Sequence, residues 1–285
     1  MSADVAGAFG AGGSALDLEE VTPAKESLDL RGTIALVTGG GQGIGRAICR
    51  RLAQDGFRVI AADLHLSPSP ANLDEAVELE PGITGRLVDV TKPAQLERLV
   101  AWIESNAGPI GVLVNNAGTL RVSPLLKLSE KDMREVFEVN FFGTFFCTQA
   151  VAARMAERRR GRIVNIASIA GKGGRPIFAS YAASKAAVLN LTQSYALALA
   201  PSNVTVNAVC PGIVRTKMWE GIDAALSALE GVPRQEPLRR RIAQIPLRRA
   251  ESVDDIANFV SYLVSPMGAY ITGQGINVDG GLEFH

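Results

Sequence analysis

Six short runs of apolar and β-branched residues, TIALVT, FRVIAAD, ITGRLVDV, IGVLVNNAG, GRIVNIAS and VTVNAVCPG, recur along the chain from Thr33 onward, separated by longer stretches of helical period. A strand with one face in water alternates apolar with polar residues. These runs do not alternate, so both of their faces must be covered, and the covering segments between them are helices. The expected fold is therefore α/β: a single doubly wound parallel sheet of the Rossmann type, with helices on both faces. A chain of 285 residues with 47% hydrophobic content can bury such a core as one domain. No repeat or linker divides residues 29–285, which read as one catalytic domain, whereas residues 1–28, rich in Gly and Ala and without period, read as a flexible extension.

Charge and rare residues narrow the chemistry. Lys plus Arg and Asp plus Glu both number 29, so no net field draws in nucleic acid or an anionic membrane, and neither is an expected partner. The N-terminus has neither the charged start nor the apolar stretch of a signal peptide, and no run is expected to approach the length of a membrane span. Cys49, Cys147 and Cys210 lie far apart with no C-x-x-C pair, which argues against a disulfide framework or zinc cluster and suits a reducing, cytoplasmic compartment. His65 and His285 are the two histidines, too few for a histidine-rich metal site or a Ser-His-Asp triad, so no metal is expected.

The first strand runs straight into Thr38-Gly-Gly-Gly-Gln-Gly-Ile-Gly45 and then a helix. Gly39, Gly43 and Gly45 allow a tight turn and close backbone approach, which sets the free N–H groups of the helix start against a pyrophosphate. The spacing is G-x-x-x-G-x-G instead of the usual G-x-G-x-x-G, but the strand-turn-helix context is the required one. The second strand ends at Asp63, 18 residues after Gly45, where a carboxylate accepts hydrogen bonds from both hydroxyls of an adenosine ribose. A 2′-phosphate there meets repulsion on the order of 4 kcal/mol per charge pair at contact. The neighbouring Gln42, Leu64 and His65 bring no permanent cation to offset it, so the pattern points to NAD. His65 itself reads as a rim residue.

In Tyr181-Ala-Ala-Ser-Lys185 the i,i+4 spacing on a helix sets the phenol and the ammonium on one face. A free tyrosine has a pKa near 10, so its phenolate needs roughly 4 kcal/mol of extra stabilisation at neutral pH, which Lys185 and a positive nicotinamide can provide. Ser168 ends the preceding strand, where its hydroxyl can hold a substrate oxygen beside Tyr181.

TGGGQGIG, Asp63, Asp89-Val90, NNAG (Asn115 to Gly118), Asn140, Ser168, YAASK and Pro211-Gly212 follow one another in order. In this set the chain resembles the short-chain dehydrogenase/reductase family over essentially everything from residue 29 on. The resemblance implies Tyr181 as acid/base, Ser168 polarising the substrate oxygen, Lys185 on the nicotinamide ribose, and Asn140 holding a relay water. It implies cofactor contacts from Gly39, Gln42, Gly43, Ile44, Gly45, Asp63 and Leu64, from Asp89 and Val90 around the adenine, and from Asn116, Ala117 and Gly118 along the channel. Pro211, Gly212, Ile213 and Thr216 are expected at the nicotinamide end. The implied reaction interconverts a secondary alcohol and its ketone by hydride transfer to or from NAD.

The substrate is less constrained. Residues 215–247 lie between the sixth strand and the last helix and are expected to form a helical lid, as specificity segments do. Met218, Trp219 and Ile222 either line a small apolar pocket or pack the lid onto the body, and Arg239, Arg240 and Arg241 read as a solvated charge run. PGIVRTKMWEGIDAAL and SPMGAYITGQGINVDGG are similar to the acetoin reductase, 2,3-butanediol dehydrogenase and polyol dehydrogenase branch, which implies a small diol, polyol or similar alcohol. A 3-oxoacyl-carrier-protein reductase shares every catalytic residue but favours NADPH, and a non-catalytic dinucleotide-binding protein has no need of an intact relay. The helix expected over residues 131–158 carries Val136, Phe137, Val139, Phe141, Phe142, Phe145 and Phe146 around nearly its whole circumference, so one side is expected on the sheet and the other against a second subunit, in a homotetramer or homodimer.

Overall fold

The computed structural model describes residues 29–284. The flexible extension expected over residues 1–28 lies outside them.

The six apolar runs form β1 (Ile34–Thr38), β2 (Arg58–Asp63), β4 (Ile83–Leu87), β5 (Ile110–Asn115), β6 (Gly161–Ile166) and β7 (Val204–Pro211). Two further strands, β3 (Ala76–Glu80) and β8 (Gly275–Val278), extend the sheet to eight in the order β3-β4-β2-β1-β5-β6-β7-β8. Every pairing is parallel except β3 with β4. The doubly wound parallel sheet expected from the sequence is present, and the cause of the one antiparallel pairing is local. Gly82 at φ 78° turns the chain tightly after Glu80, so β3 leads into β4 as a hairpin at the edge.

The two-residue period of β1 shows why both faces are apolar. Ala35 and Val37 point to one core, with Ile48 and Leu52 of α1 (Gly43–Gln54) and Ile256 and Val260 of α8 (Val253–Val264). Ile34 and Leu36 point to the other core, with Leu96 and Leu99 of α2 (Pro93–Asn106), Val151 and Met155 of α4 (Gly143–Glu157) and Ala196 of α5 (Ala179–Leu199). Each such large side chain contributes roughly 2 kcal/mol by leaving water. The helix starts carry their own caps: the Ser129 hydroxyl accepts from Asp132 N at 3.0 Å before α3 (Glu130–Phe137), and Ser252 and Asp255 form a reciprocal capping box before α8.

The helix expected over residues 131–158 is present as an unbroken run but is not α-helical throughout. α3 and α4 are joined by one π-helical turn, Glu138–Phe142, at whose centre Asn140 is fully buried. The helical run Glu130–Glu157 is long and apolar enough, by length and composition, to cross a membrane, contrary to the sequence expectation. Here it packs as a core element: Cys147, Val151 and Met155 are at 0% exposure under the sheet. Residues 215–247 contain two helices, α6 (Lys217–Glu230) and α7 (Glu236–Ala243), as the lid expectation requires of a helical segment. All three cysteines are free and buried.

Candidate active site

Because the sheet is parallel, β1, β2, β5, β6 and β7 all end on one edge. The chain leaves β1 toward β2 on one side, and β5 lies on the other, so the strand ends part into a crevice at this switch of direction. The crevice is a cleft of about 1390 Å³.

Its floor is the turn between β1 and α1. Gly39 adopts φ 64°, a conformation costly for any residue with a Cβ, and a Cβ there would stand 2.8 Å from Asn116 Nδ2. Gly45 is required by space alone, since a Cβ would fall 2.0 Å from the carbonyl oxygen of Gly39. The NNAG segment rivets the turn in place. Asn116 Nδ2 donates to the carbonyls of Thr38 and Gly39 at 3.1 and 2.9 Å, while Thr38 Oγ1 accepts from the Asn116 and Ala117 N–H groups at 3.1 and 3.2 Å. At the start of α1 the capping residue Gln42 contributes no side-chain bond, and the first turn holds no acidic residue, so the helix N-terminus presents its N–H groups and positive dipole end to the cleft. Such a cradle fits a dinucleotide pyrophosphate.

Asp63 stands at the end of β2 on the cleft wall. One carboxylate oxygen accepts from Gly41 N at 2.9 Å and the other from His65 N at 3.1 Å, which fixes the group while leaving lone pairs on both oxygens. Gln42, Leu64 and His65 share that wall. Farther along, Asp89 and Val90 line the cleft, with the Asp89 N–H held by Gln95 Oε1 at 2.9 Å and the Asp89 carboxylate accepting from Thr91 N and Oγ1.

Asn140 and Lys185 meet behind Gly118, where a Cβ would lie 3.4 Å from Asn140 Oδ1 and 3.7 Å from Lys185 Nζ. The π-turn points Asn140 inward. Its Oδ1 accepts from Thr119 N at 2.8 Å, and its Nδ2 donates to Thr119 O at 3.0 Å and to Ser184 Oγ at 2.9 Å. Ser184 Oγ in turn donates to the Tyr181 carbonyl at 2.8 Å, tying the π-turn to the start of α5. Lys185 is 4% exposed and donates to the Ile166 carbonyl at 2.6 Å, with Nζ 5.7 Å from the centroid of the Tyr181 ring. Burial pushes the Tyr181 phenol up to about 12, and a hydrogen bond with Ser168 pulls the other way. Burial draws the Lys185 ammonium down to about 8.

Gly39, Gln42, Gly43, Ile44, Asp63, Leu64, Asp89, Val90, Asn116, Ala117, Gly118, Thr216 and Met218 all line the cleft. Gly45 sits behind the turn, and Asn140, Ser168, Tyr181, Lys185, Pro211, Gly212 and Ile213 are not among the residues that line the cleft. Trp219 is half-buried on α6 away from the cleft lining, and Ile222 is buried. Sequence reasoning missed two features. One is Ser184, inside the YAASK motif, whose role needs the π-turn to be known. The other is the charged outer rim, where Arg121, Glu135, Lys131, Glu130 and Arg134 pair with one another at 2.7 to 3.7 Å.

The comparisons agree with this geometry. The chain is 42% identical to an L-2,3-butanediol dehydrogenase of Corynebacterium glutamicum, over 88% of this chain and 99% of that protein. It is 38% identical to a sorbitol dehydrogenase of Cereibacter sphaeroides, over 88% of this chain and 98% of the other. Its fold matches the crystal structure of a variant actinorhodin polyketide ketoreductase with NADPH at a TM-score of 0.81 and 37% identity, covering 92% of this chain and 99% of that one. Residues 33–227 match the short chain dehydrogenase family. With that match, and with a nucleotide-fitted glycine turn leading to a buried tyrosine and lysine, the chain belongs to the short-chain dehydrogenase family of oxidoreductases.

Proposed function

We propose that this protein is an NAD(H)-dependent oxidoreductase that interconverts a small secondary alcohol, a diol or polyol, and its ketone, with Tyr181 as the acid/base. The observation that carries the reading is the gathering of Tyr181, Ser168, Lys185 and Asn140 next to Gly118 and Thr119, two residues that line the same cleft as the glycine turn. The similarity to a butanediol and a sorbitol dehydrogenase supports the substrate class.

When bound, the nicotinamide supplies the hydride acceptor or donor and, when oxidised, a positive charge. The N–H groups at the start of α1 hold the pyrophosphate, Asp63 accepts the ribose hydroxyls, and Asp89 with Val90 frames the adenine. Pro211, Gly212, Ile213 and Thr216 contact the nicotinamide end. Ser168 Oγ holds the substrate oxygen. In the oxidising direction Tyr181 Oη takes the hydroxyl proton, and in the reducing direction it returns one to the ketone oxygen. Lys185 binds the nicotinamide ribose and favours the phenolate, while Asn140 retains the relay water. Met218, on the cleft wall, contacts the substrate.

What supports NAD over NADP is Asp63, with no permanent cation among Gln42, Leu64 and His65. A second reading, a ketoreductase of carrier-bound 3-oxoacyl groups using NADPH, is favoured by the likeness to the polyketide ketoreductase. A panel of diols, polyols, simple ketones and 3-oxoacyl thioesters, followed by the absorbance of the reduced dinucleotide with NAD(H) and NADP(H) in parallel, separates the two. Turnover of diols with NAD is expected, and turnover confined to thioesters with NADPH would replace this reading by the second. The assembly belongs to the same proposal: the half-exposed phenylalanine face of α4 joins copies of the chain in a homotetramer or homodimer.

A further inference from the structure

Glu251 stands where the end of β7, the residues leading into α8 and the end of β8 come together. Its backbone forms a parallel bridge with Val214: its N–H donates to the Ile213 carbonyl at 2.9 Å, and its carbonyl accepts from Arg215 N at 3.4 Å. Any residue other than proline makes those bonds. The side chain adds one that is specific. It is 6% exposed and turns back onto Gly212, whose N–H donates to Oε1 at 2.8 Å and to the Val278 carbonyl at the longer distance of 3.2 Å. A Cβ at position 212 would fall 2.7 Å from the same Oε1 and 2.9 Å from Asp279 Cβ. The carboxyl therefore occupies the room that a side chain at 212 would need, and it holds the backbone there against β8.

Ile213 and Val214 are buried beside this contact, whereas Thr216 and Met218, a few residues farther on, line the cleft. The segment is fixed at its buried end and reaches the cleft at the other. A segment whose conformation is set in advance loses less on binding and holds its ligand more tightly. Glu251 is not among the residues that line the cleft, so its effect on a ligand there passes through Gly212. The glycine turn and Asp63 belong to β1 and β2, which β5 and β6 separate from β7, and they do not depend on this contact.

We propose that Glu251 is a positioning residue for the nicotinamide end of the dinucleotide: its carboxyl holds the Gly212 N–H and so presets the backbone of residues 211–216 against the ring. The inference rests on the reading that Pro211, Gly212, Ile213 and Thr216 contact the nicotinamide.

NADH and ADP-ribose, which lacks the nicotinamide, separate the two halves of the site. Their Kd values are measured by calorimetry on the full chain at pH 6, where burial keeps Glu251 mostly uncharged. The parent should bind NADH more tightly than ADP-ribose. Glu251→Ala and Glu251→Met both remove the acceptor, and the Met variant, which keeps the space filled, carries the test should the cavity left by Ala prevent folding. In each, NADH affinity should fall about fivefold, the worth of one hydrogen bond, while ADP-ribose affinity stays within about twofold of the parent. Glu251→Gln keeps an oxygen for the Gly212 N–H and should bind both ligands as the parent does. NADH affinity left unchanged by the Ala and Met variants would overturn the role of Glu251, as would equal losses for the two ligands, which mark a general loosening of the fold. A parent that binds NADH and ADP-ribose equally well would overturn the placement of the nicotinamide against residues 211–216, and this inference with it.

Discussion

Tyr181 and Lys185 stand on one face of α5, and the protein alone sets both against ionic catalysis: the phenol is pushed up to about 12 and the ammonium drawn down to about 8. Carrying the phenol from there to neutrality takes about 7 kcal/mol, more than the roughly 4 kcal/mol needed by a free tyrosine. The Ser168 hydrogen bond is already counted in that value, so the charge of an oxidised nicotinamide, beside a Lys185 ammonium still protonated at neutrality, is the remaining source, and on this reading the phenolate belongs to the ternary complex, not to the protein alone. Alcohol oxidation should therefore gain rate with rising pH, with an apparent pKa well below 12 once dinucleotide is bound. Tyr181→Phe should lower kcat by at least about a thousandfold while the dinucleotide Kd, read by fluorescence titration, stays within about threefold. Substantial turnover by that variant would remove Tyr181 from the role. Asp63 offers a separate check. Asp63→Ala removes the ribose acceptor and the repulsion toward a 2′-phosphate, worth on the order of 4 kcal/mol at contact. The ratio of kcat/KM for NAD over NADP should fall by about a hundredfold or more, and an unchanged ratio would place discrimination elsewhere.

Elements decide what these residues can do, and the segment 215–247 shows how. Its two ends are zipped together: Glu251 N donates to the Ile213 carbonyl at 2.9 Å, and Arg215 N to the Glu251 carbonyl at 3.4 Å. The Glu251 side chain is 6% exposed, with one oxygen accepting from Gly212 N at 2.8 Å and the other buried without a partner. Burial pushes its carboxyl up to about 7, helped by the charges of Asp279 and Asp255 and opposed by the Gly212 N–H and by Arg249. An acid with a raised folded pKa stabilises the fold fully below its unfolded value of 4.5, and that contribution is lost as pH climbs through about 7. Glu251→Gln keeps the acceptor for Gly212 and cannot ionise. It should be more stable than the parent by about 1–3 kcal/mol at pH 8 and nearly equal at pH 4, measured by denaturant unfolding. Equal stability at both pH values would mean that the carboxyl is not strained. None of this was legible in the sequence, because the burial of Glu251 depends on which distant segments cover it. The six inner strands were legible because each is apolar on both faces. β3 escaped because AVELE is not one of the runs apolar on both faces by which the inner strands were read, and its short alternation covers five residues, while β8 has four half-buried residues that carry too little pattern. The π-turn left no mark in the period of helix 131–158, yet it alone explains why Asn140 points at the site.

At the scale of the whole molecule, the core is covered by the two layers of helices, and among the described residues a run of aromatic side chains on one helix stays partly uncovered. Phe137, Phe141, Phe142, Phe146 and Phe145 form a chain of ring contacts along the π-turn and α4, with centroids 5.2 to 6.3 Å apart, and Phe145 reaches Tyr195 of α5 at 6.5 Å. Phe142 remains 38% exposed and the other four are half-buried, although the inner side of the same helix is fully covered. A contiguous aromatic stripe facing water is costly in a monomer and becomes favourable when a two-fold axis sets it against its own copy. The placement bears on the proposed function because α4 follows directly on the π-turn that carries Asn140, and α5 carries Tyr181 and Lys185, so subunit contact would stiffen the two elements that hold the proposed catalytic residues. The protein should elute larger than a monomer in size-exclusion chromatography with light scattering. Phe142→Asp combined with Phe145→Asp should shift it toward the monomer and lower kcat, while dinucleotide affinity, set by the turn after β1 on the other side of the sheet centre, changes little. A monomeric parent protein, or a double variant that keeps its size, would leave the aromatic stripe without this role.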